Sequence, residues 1–207
     1  MVRDLTQLEQ IRNGTVDMSR CNPILGFNEP SNPDCGAGAC MTLAQLVDAW
    51  HELEILFPDK QLVGPAFYHH PKLPYDFVDF LDGFRARYGR YPRMEIAAIH
   101  EYGLGNVEKE FNDFDKPDYL YVKNALAVRG YPDIPIWITE LGWFKIGLPD
   151  EEQRATIYLQ KWIAFCNSES TCQYLNWFGP TAGSYNIVPL LDNGRLTGPG
   201  QVWTNWQ

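Results

Sequence analysis

Apolar residues follow two alternating rhythms along this chain. Short stretches dominated by apolar residues occur at residues 23–27, 61–65, 95–100, 134–140 and 173–177. Between them, apolar positions recur every three or four residues. Leu5, Leu8 and Ile11 form one such series. Leu43, Leu46, Val47, Trp50, Leu53 and Phe57 form a second, and Phe77, Phe80, Leu81, Phe84 and Tyr88 a third. A continuous run bounded by turn residues reads as a buried strand, and the three-four spacing as a helix with one buried face. Local signals mark the helix ends. Thr42 and Gln45 have capping-box spacing, which satisfies two otherwise orphaned amides. Pro117 suits a first helical turn and Gly130 a C-terminal cap, so a helix is predicted over 117–128. Pro149, Asp150, Glu151 and Glu152 put acids where the macrodipole favours them. Leu159, Trp162, Ile163 and Cys166 then continue a buried face. The tail from residue 186 reads as turn-rich around Asp192-Asn193-Gly194.

Strictly alternating strand and helix predicts an α/β fold, a parallel sheet with helices on its faces. Two architectures compete, the doubly wound sheet and the (β/α)8 TIM barrel. No G-x-G-x-x-G follows the first strand, so a dinucleotide crevice has no support. Instead, every strand runs out into polar or aromatic residues. These are Asn28 and Glu29, Phe67 and Tyr68, His100 and Tyr102, Glu140 and Trp143, and Trp177. In a barrel such strand ends converge on one mouth. The expectation is therefore a barrel-type α/β fold, with residues 1–207 as one domain.

Composition removes several function classes. Acids outnumber bases 26 to 17, a formal net charge of −9. Nucleic acids and anionic membranes call for a basic face, so neither is an expected partner. The longest apolar runs, such as Ile96-Ala97-Ala98-Ile99, fall far short of a membrane span. The first residues are polar and charged, unlike a signal peptide. Cys35 and Cys40 flank one short loop and Cys166 and Cys172 another, so two local disulfides are available, with Cys21 left over. Such bonds would suit an oxidising compartment. No Cys or His cluster has zinc-ligand spacing, and residues 113–118 lack the Gly and spacing of a calcium loop. No metal and no cofactor are called for.

The chemistry rests on two glutamates at strand ends, Glu29 and Glu140. In a barrel they would face each other across the mouth. Opposed carboxylates are what glycoside hydrolysis needs: one protonated to release the leaving oxygen, the other ionised to attack the sugar carbon or activate water. Taken singly, either is an ordinary exposed acid at a strand end. The neighbours make the pair stand out.

Gly26-Phe27-Asn28-Glu29-Pro30 resembles the Asn-Glu-Pro acid/base motif of clan A glycoside hydrolases. Leu62-Val63-Gly64-Pro65-Ala66, Ile99-His100-Glu101-Tyr102-Gly103 and Trp137-Ile138-Thr139-Glu140-Leu141-Gly142 follow in the order that clan requires. The set is similar to glycoside hydrolase family 128 and the related fungal alkali-sensitive-linkage proteins, over about residues 23–196. Those are retaining β-1,3-glucanases or glucan-binding proteins on a (β/α)8 barrel. The resemblance implies Glu29 as general acid/base and Glu140 as nucleophile. It implies that Asn28 holds a sugar hydroxyl, Tyr102 hydrogen-bonds the nucleophile, and His100 and Tyr68 line the substrate site. Trp143 and Trp177 would stack sugar rings, with packing at the barrel rim as the alternative. Glu101 stands where relatives usually carry an aromatic. The implied partner is a β-glucan oligo- or polysaccharide and the implied location extracellular or cell-wall associated.

In that clan the Asn-Glu-Pro motif ends the fourth barrel strand. Here only 27 residues precede Asn28, too few for three strand–helix units. The five predicted strands match strands four to eight, so the expected barrel is short at its N-terminal side. Its open sheet edges could pair with another copy. A glucan-binding protein without turnover and an inactive short barrel are the competing readings.

Overall fold

The structure, a computed structural model, describes residues 1–68, 73–179, 181 and 186–206. It packs as two compact units, Met1–Ile99 with Val122–Ile136, and His100–Tyr121 with Trp137–Gln207. The strands are β1 (Ile24–Leu25), β2 (Leu62–Val63), β3 (Phe67–Tyr68), β4 (Ala97–Gly103), β5 (Ile136–Trp143), β6 (Cys172–Trp177), β7 (Leu191–Asp192) and β8 (Arg195–Leu196). Five of these, β1, β2, β4, β5 and β6, fall within or across the apolar runs. One sheet has the order β3-β4-β5-β6, with β4 passing from the first unit into the second.

In the first unit β1 and β2 pair in parallel, Ile24 opposite Leu62 and Leu25 opposite Val63. Parallel bridges Asn28–Ala66 and Val63–Ile96 extend the register on both sides. The other edge of β1 is not bare. Val2 N–H donates to Leu25 O at 2.8 Å, and Asn28 N–H donates to Arg3 O at 3.2 Å. Two residues from the chain start thus lie where a neighbouring strand would, and Val2 is buried. Helix α1 (Leu5–Arg12) follows at once, capped by Asp4. Helix α2 (Leu43–Leu56) begins with the predicted Thr42–Gln45 capping box. Helix α3 (Phe77–Tyr88) begins with an Asp76–Asp79 box and ends at Gly89, whose φ of 73° suits a residue without Cβ. The apolar faces of α2 and α3 meet through Trp50 and Phe80, edge to face at 5.7 Å.

The helix predicted from Pro117 starts about ten residues earlier. Helix α4 (Val107–Lys109) runs into a π-helical stretch, Glu110–Asp115, and then α5 (Lys116–Ala127). Pro117 has no N–H to donate and its ring crowds the carbonyl four residues back. The wider turn before it, where Lys116 N–H reaches Phe111 O, carries the chain past that gap without ending the helix. Phe111 packs edge-on against Trp162 of α6 (Glu151–Ser168) at 5.4 Å. This contact with a distant helix holds a stretch that local propensity does not mark.

The turn-rich tail is a hairpin plus a helix. β7 and β8 pair antiparallel around Asn193 and Gly194, both at positive φ, the requirement of the tightest hairpin turn. Helix α7 (Gly198–Asn205) then starts from Thr197, which accepts from Gly200 N–H, with Pro199 in its first turn. That Thr-x-Pro start was the overlooked helix signal. Cys35–Cys40 and Cys166–Cys172 are disulfide-bonded, and Cys21 is free and exposed. The second bond ties the end of α6 to the start of β6. No helix among the described residues is long and apolar enough to cross a membrane.

Candidate active site

In the first unit the chain leaves β1 at Gly26 and stays paired. Asn28 N–H binds Arg3 O, and Glu29 N–H donates to Ala66 O at 2.8 Å. Glu29 sits at φ 39°, in the left-handed region that non-glycine residues avoid. Strain of this kind persists where surrounding contacts over-determine the backbone, and it clusters at functional sites. Those contacts come from the loop closed by Cys35–Cys40. Ala39 N–H donates to Asn28 O at 2.7 Å, and Asn28 Nδ2 donates to Ala37 O at 3.1 Å. The Arg3 guanidinium donates to Gly36 O at 2.7 Å. A Cβ on Gly38 would stand 2.5 Å from Glu29 O, so only glycine lets the loop seat this closely. The Glu29 carboxylate is 9% exposed as a residue and accepts from Asn32 Nδ2 at 2.8 Å. Asn28 Oδ1 is buried with no hydrogen-bond partner among the described residues.

In the second unit β4 and β5 hold a further group of candidate residues. His100 and Tyr102 are two apart on β4 and so share a face. The Tyr102 hydroxyl donates to Glu140 Oε2. His100 Nδ1 lies 3.5 Å from the same oxygen, on a side chain 1% exposed, whereas that of Glu140 is 18% exposed. One carboxylate oxygen is therefore fixed by a hydroxyl, and the residue keeps an opening to solvent. The Tyr102 ring is held between Phe144 at 5.1 Å and Phe178 at 5.9 Å. A Cβ on Gly142 would lie 2.9 Å from that ring. The glycine of Thr-Glu-Leu-Gly thus makes room for the tyrosine of His-x-Tyr-Gly.

Alternation turns Glu101 to the opposite face of β4, where it is buried beside Asp115 and Asp118. Burial pushes the Glu101 carboxyl well above the usual range, and the neighbouring acids add to the effect. Burial also pushes Asp115 up to about 7, against the Tyr158 hydroxyl, which donates to Asp115 Oδ2 at 2.6 Å. Glu101 thus belongs to a buried acid cluster behind the strand, on the side away from Glu140.

Two expected sugar platforms need correction. Trp143 is 1% exposed and Trp177 2%. Trp143 packs on Tyr158 at 5.3 Å and fills the space over Gly103, where a Cβ would be 2.7 Å from its ring. Trp177 donates Nε1–H to Val188 O at 2.9 Å. Neither presents a ring face to a ligand; both are core residues, the packing alternative. Tyr68 closes β3, but its side chain lies outside the described residues, as do His69 and His70. The sequence reading missed Asn32, Gly38, Gly142, Phe144 and Phe178. Phe144 and Phe178 each directly follow a candidate tryptophan and Gly142 closes the Thr-Glu-Leu-Gly motif, whereas Asn32 and Gly38 carry no signal beyond lying in the loop after Glu29.

A family model described as "Glycosyl hydrolase catalytic core" matches residues 2–203. The chain belongs to that family. Its fold is also that of solved glycoside hydrolases of family 128. A subgroup I endo-β-1,3-glucanase from Amycolatopsis mediterranei, in complex with laminaritriose, is 20% identical with a TM-score of 0.73, over 100% of this chain and 81% of that one. A subgroup II endo-β-1,3-glucanase from Pseudomonas viridiflava is 23% identical with a TM-score of 0.71, over 99% and 78%. A subgroup III curdlan-specific exo-β-1,3-glucanase from Blastomyces gilchristii, in complex with glucose, is 20% identical with a TM-score of 0.65, over 97% and 76%. No curated protein sequence matches the chain.

Proposed function

We propose that the protein hydrolyses β-1,3-linked glucan with retention of configuration, using Glu29 as general acid/base and Glu140 as nucleophile. The observation that carries this reading is the Tyr102–Glu140 hydrogen bond on a carboxylate that stays open to solvent. The strained, tightly held Glu29 supports the second role, and the solved structures of similar fold support the substrate. In the first step a Glu140 oxygen attacks the anomeric carbon while Glu29 gives its proton to the departing glycosidic oxygen. In the second, Glu29 takes a proton from water, the water oxygen attacks the same carbon, and Glu140 leaves as carboxylate. The unpartnered Asn28 Oδ1 is suited to accept from a sugar hydroxyl beside the reacting carbon. His100 would line the same subsite, as would Tyr68. On this reading β1, β2, β4, β5 and β6 correspond to the fourth to eighth strands of a (β/α)8-type barrel. Two disulfides are consistent with an extracellular or wall-associated protein.

Turnover of laminarin and of an activated aryl β-glucoside by the parent, Glu140→Gln and Glu29→Gln tests the assignment. Glu140→Gln is expected to lose both activities. Glu29→Gln should lose about 10²–10⁴-fold on laminarin but less on the aryl glucoside, whose leaving group needs no proton. Azide should restore the aryl glucoside turnover of Glu29→Ala by attacking the glycosyl ester. An active parent unaffected by either change would remove this site from consideration. Glucan binding without turnover would make the chain a binding protein.

A further inference from the structure

Helices α6 and α7 of the second unit flank an open groove of about 630 Å3, and none of its lining residues belongs to the site described above. Small-molecule sites occupy about 300–1,000 Å3, so the size admits a short ligand. Its apolar part comes from Ile163 and Val202, and its polar part from four carboxamides, Gln160 and Asn167 on α6 and Gln201 and Asn205 on α7. Trp206, at the C-terminal end of α7, also lines it, with its ring set edge-on to Trp203 at 5.7 Å. No charged side chain among the described residues lines the groove, although the protein carries a net charge of −9. The four carboxamides make no hydrogen bond within the described residues.

These features select a ligand class. A carboxamide offers two donors and an acceptor in one plane, a match for hydroxyls that both give and take. A half-buried indole offers an apolar face to the C–H face of a pyranose. An ion would find no counter-charge among the lining side chains, the neighbouring Glu152 being engaged by Gly198 N–H and Arg195. An apolar peptide or acyl chain would strand four amides at a cost in desolvation. We propose that the α6–α7 groove is a second, non-catalytic binding site for a neutral oligosaccharide, namely a segment of β-1,3-glucan chain. The choice of glucan rests on the function proposed above; the preference for a neutral sugar rests on the lining. Such a site would hold the protein on an insoluble polysaccharide and raise the local concentration of substrate.

The test compares the parent, Trp206→Ala and the double variant Gln160→Ala/Asn205→Ala. Retention on insoluble β-1,3-glucan particles is measured beside hydrolysis of soluble laminarihexaose, with circular dichroism and melting temperature to confirm folding. The double variant replaces exposed residues and remains informative if loss of Trp206 unfolds the chain. Retention should weaken about tenfold in either variant, as for an interface anchor, with unchanged hydrolysis of the soluble substrate. Retention equal to that of the parent in folded variants, with hydrolysis intact, would overturn the groove and leave the proposed function standing. Retention that depends on Trp206 in a protein that hydrolyses no glucan would do the reverse. A parent that is not retained, or variants whose only change is loss of self-association by light scattering, would also overturn the proposal.

Discussion

At the scale of single residues, the site depends on where one hydroxyl points. Tyr102→Phe keeps the ring between Phe144, Phe178 and Gly142 but removes the bond to Glu140. A hydrogen bond to a charged group contributes about 1.5–3 kcal/mol, so kcat on laminarin should fall about 10- to 100-fold with KM little changed. Steady-state kinetics check this, and a parental kcat in a folded variant would refute it. The family resemblance implied the Tyr102–Glu140 bond, which the structure contains, and His100 lies on the same face as Tyr102 because residues two apart on one strand share a face. The sequence could not separate Glu101, Trp143 and Trp177 from them. Both faces of a strand covered by helices are apolar, so parity does not say which face looks at solvent. An aromatic at a strand end reads the same whether it packs under a glycine or faces a sugar.

At the scale of elements, legibility followed the range of the interaction. The Thr42 capping box and the Asn193-Gly194 turn are encoded within four residues and could be read directly. The π stretch before Pro117 is held from outside, by Phe111 on Trp162 and by the Asp115–Tyr158 bond. The same contacts give the segment a pH response. Glu101 and Asp115 have raised folded-state values, and Glu110 is raised by burial. A folded state that binds protons more tightly than the unfolded chain contributes stability in full below the unfolded value, about 4. That contribution is lost as pH rises through the folded value, about 7 for Asp115. Melting temperature should therefore fall between pH 5 and pH 8, and Glu101→Gln, neutral at every pH, should flatten the decline. Scanning calorimetry of both proteins decides it. A parent whose melting point is level or rising over that interval would contradict the account.

At the scale of the whole molecule, the order of strands and helices was legible because hydrophobic period survives any tertiary arrangement. The division into two units was not, since β4 and α5 each pass from one unit to the other. Nor was the placement of Val2 and Arg3 along β1, where backbone groups do the binding and side-chain pattern leaves no trace. Both cysteine pairs were visible as candidates and both are bonded, yet their consequences differ. Cys166–Cys172 fastens a helix to a strand. Cys35–Cys40 closes the loop that seats Asn28 and Glu29. Reducing agent should therefore lower glucan hydrolysis while circular dichroism barely changes, and reoxidation should restore the rate. Cys35→Ser/Cys40→Ser should be slow and indifferent to reductant, whereas Cys166→Ser/Cys172→Ser should keep the parental rate. Full activity with both bonds verifiably open would refute this. For anyone producing the protein, the choice of host and buffer thus becomes part of the assay: well-folded material from a reducing cytoplasm, tested in a thiol-containing buffer, would register as a much slower enzyme than it is.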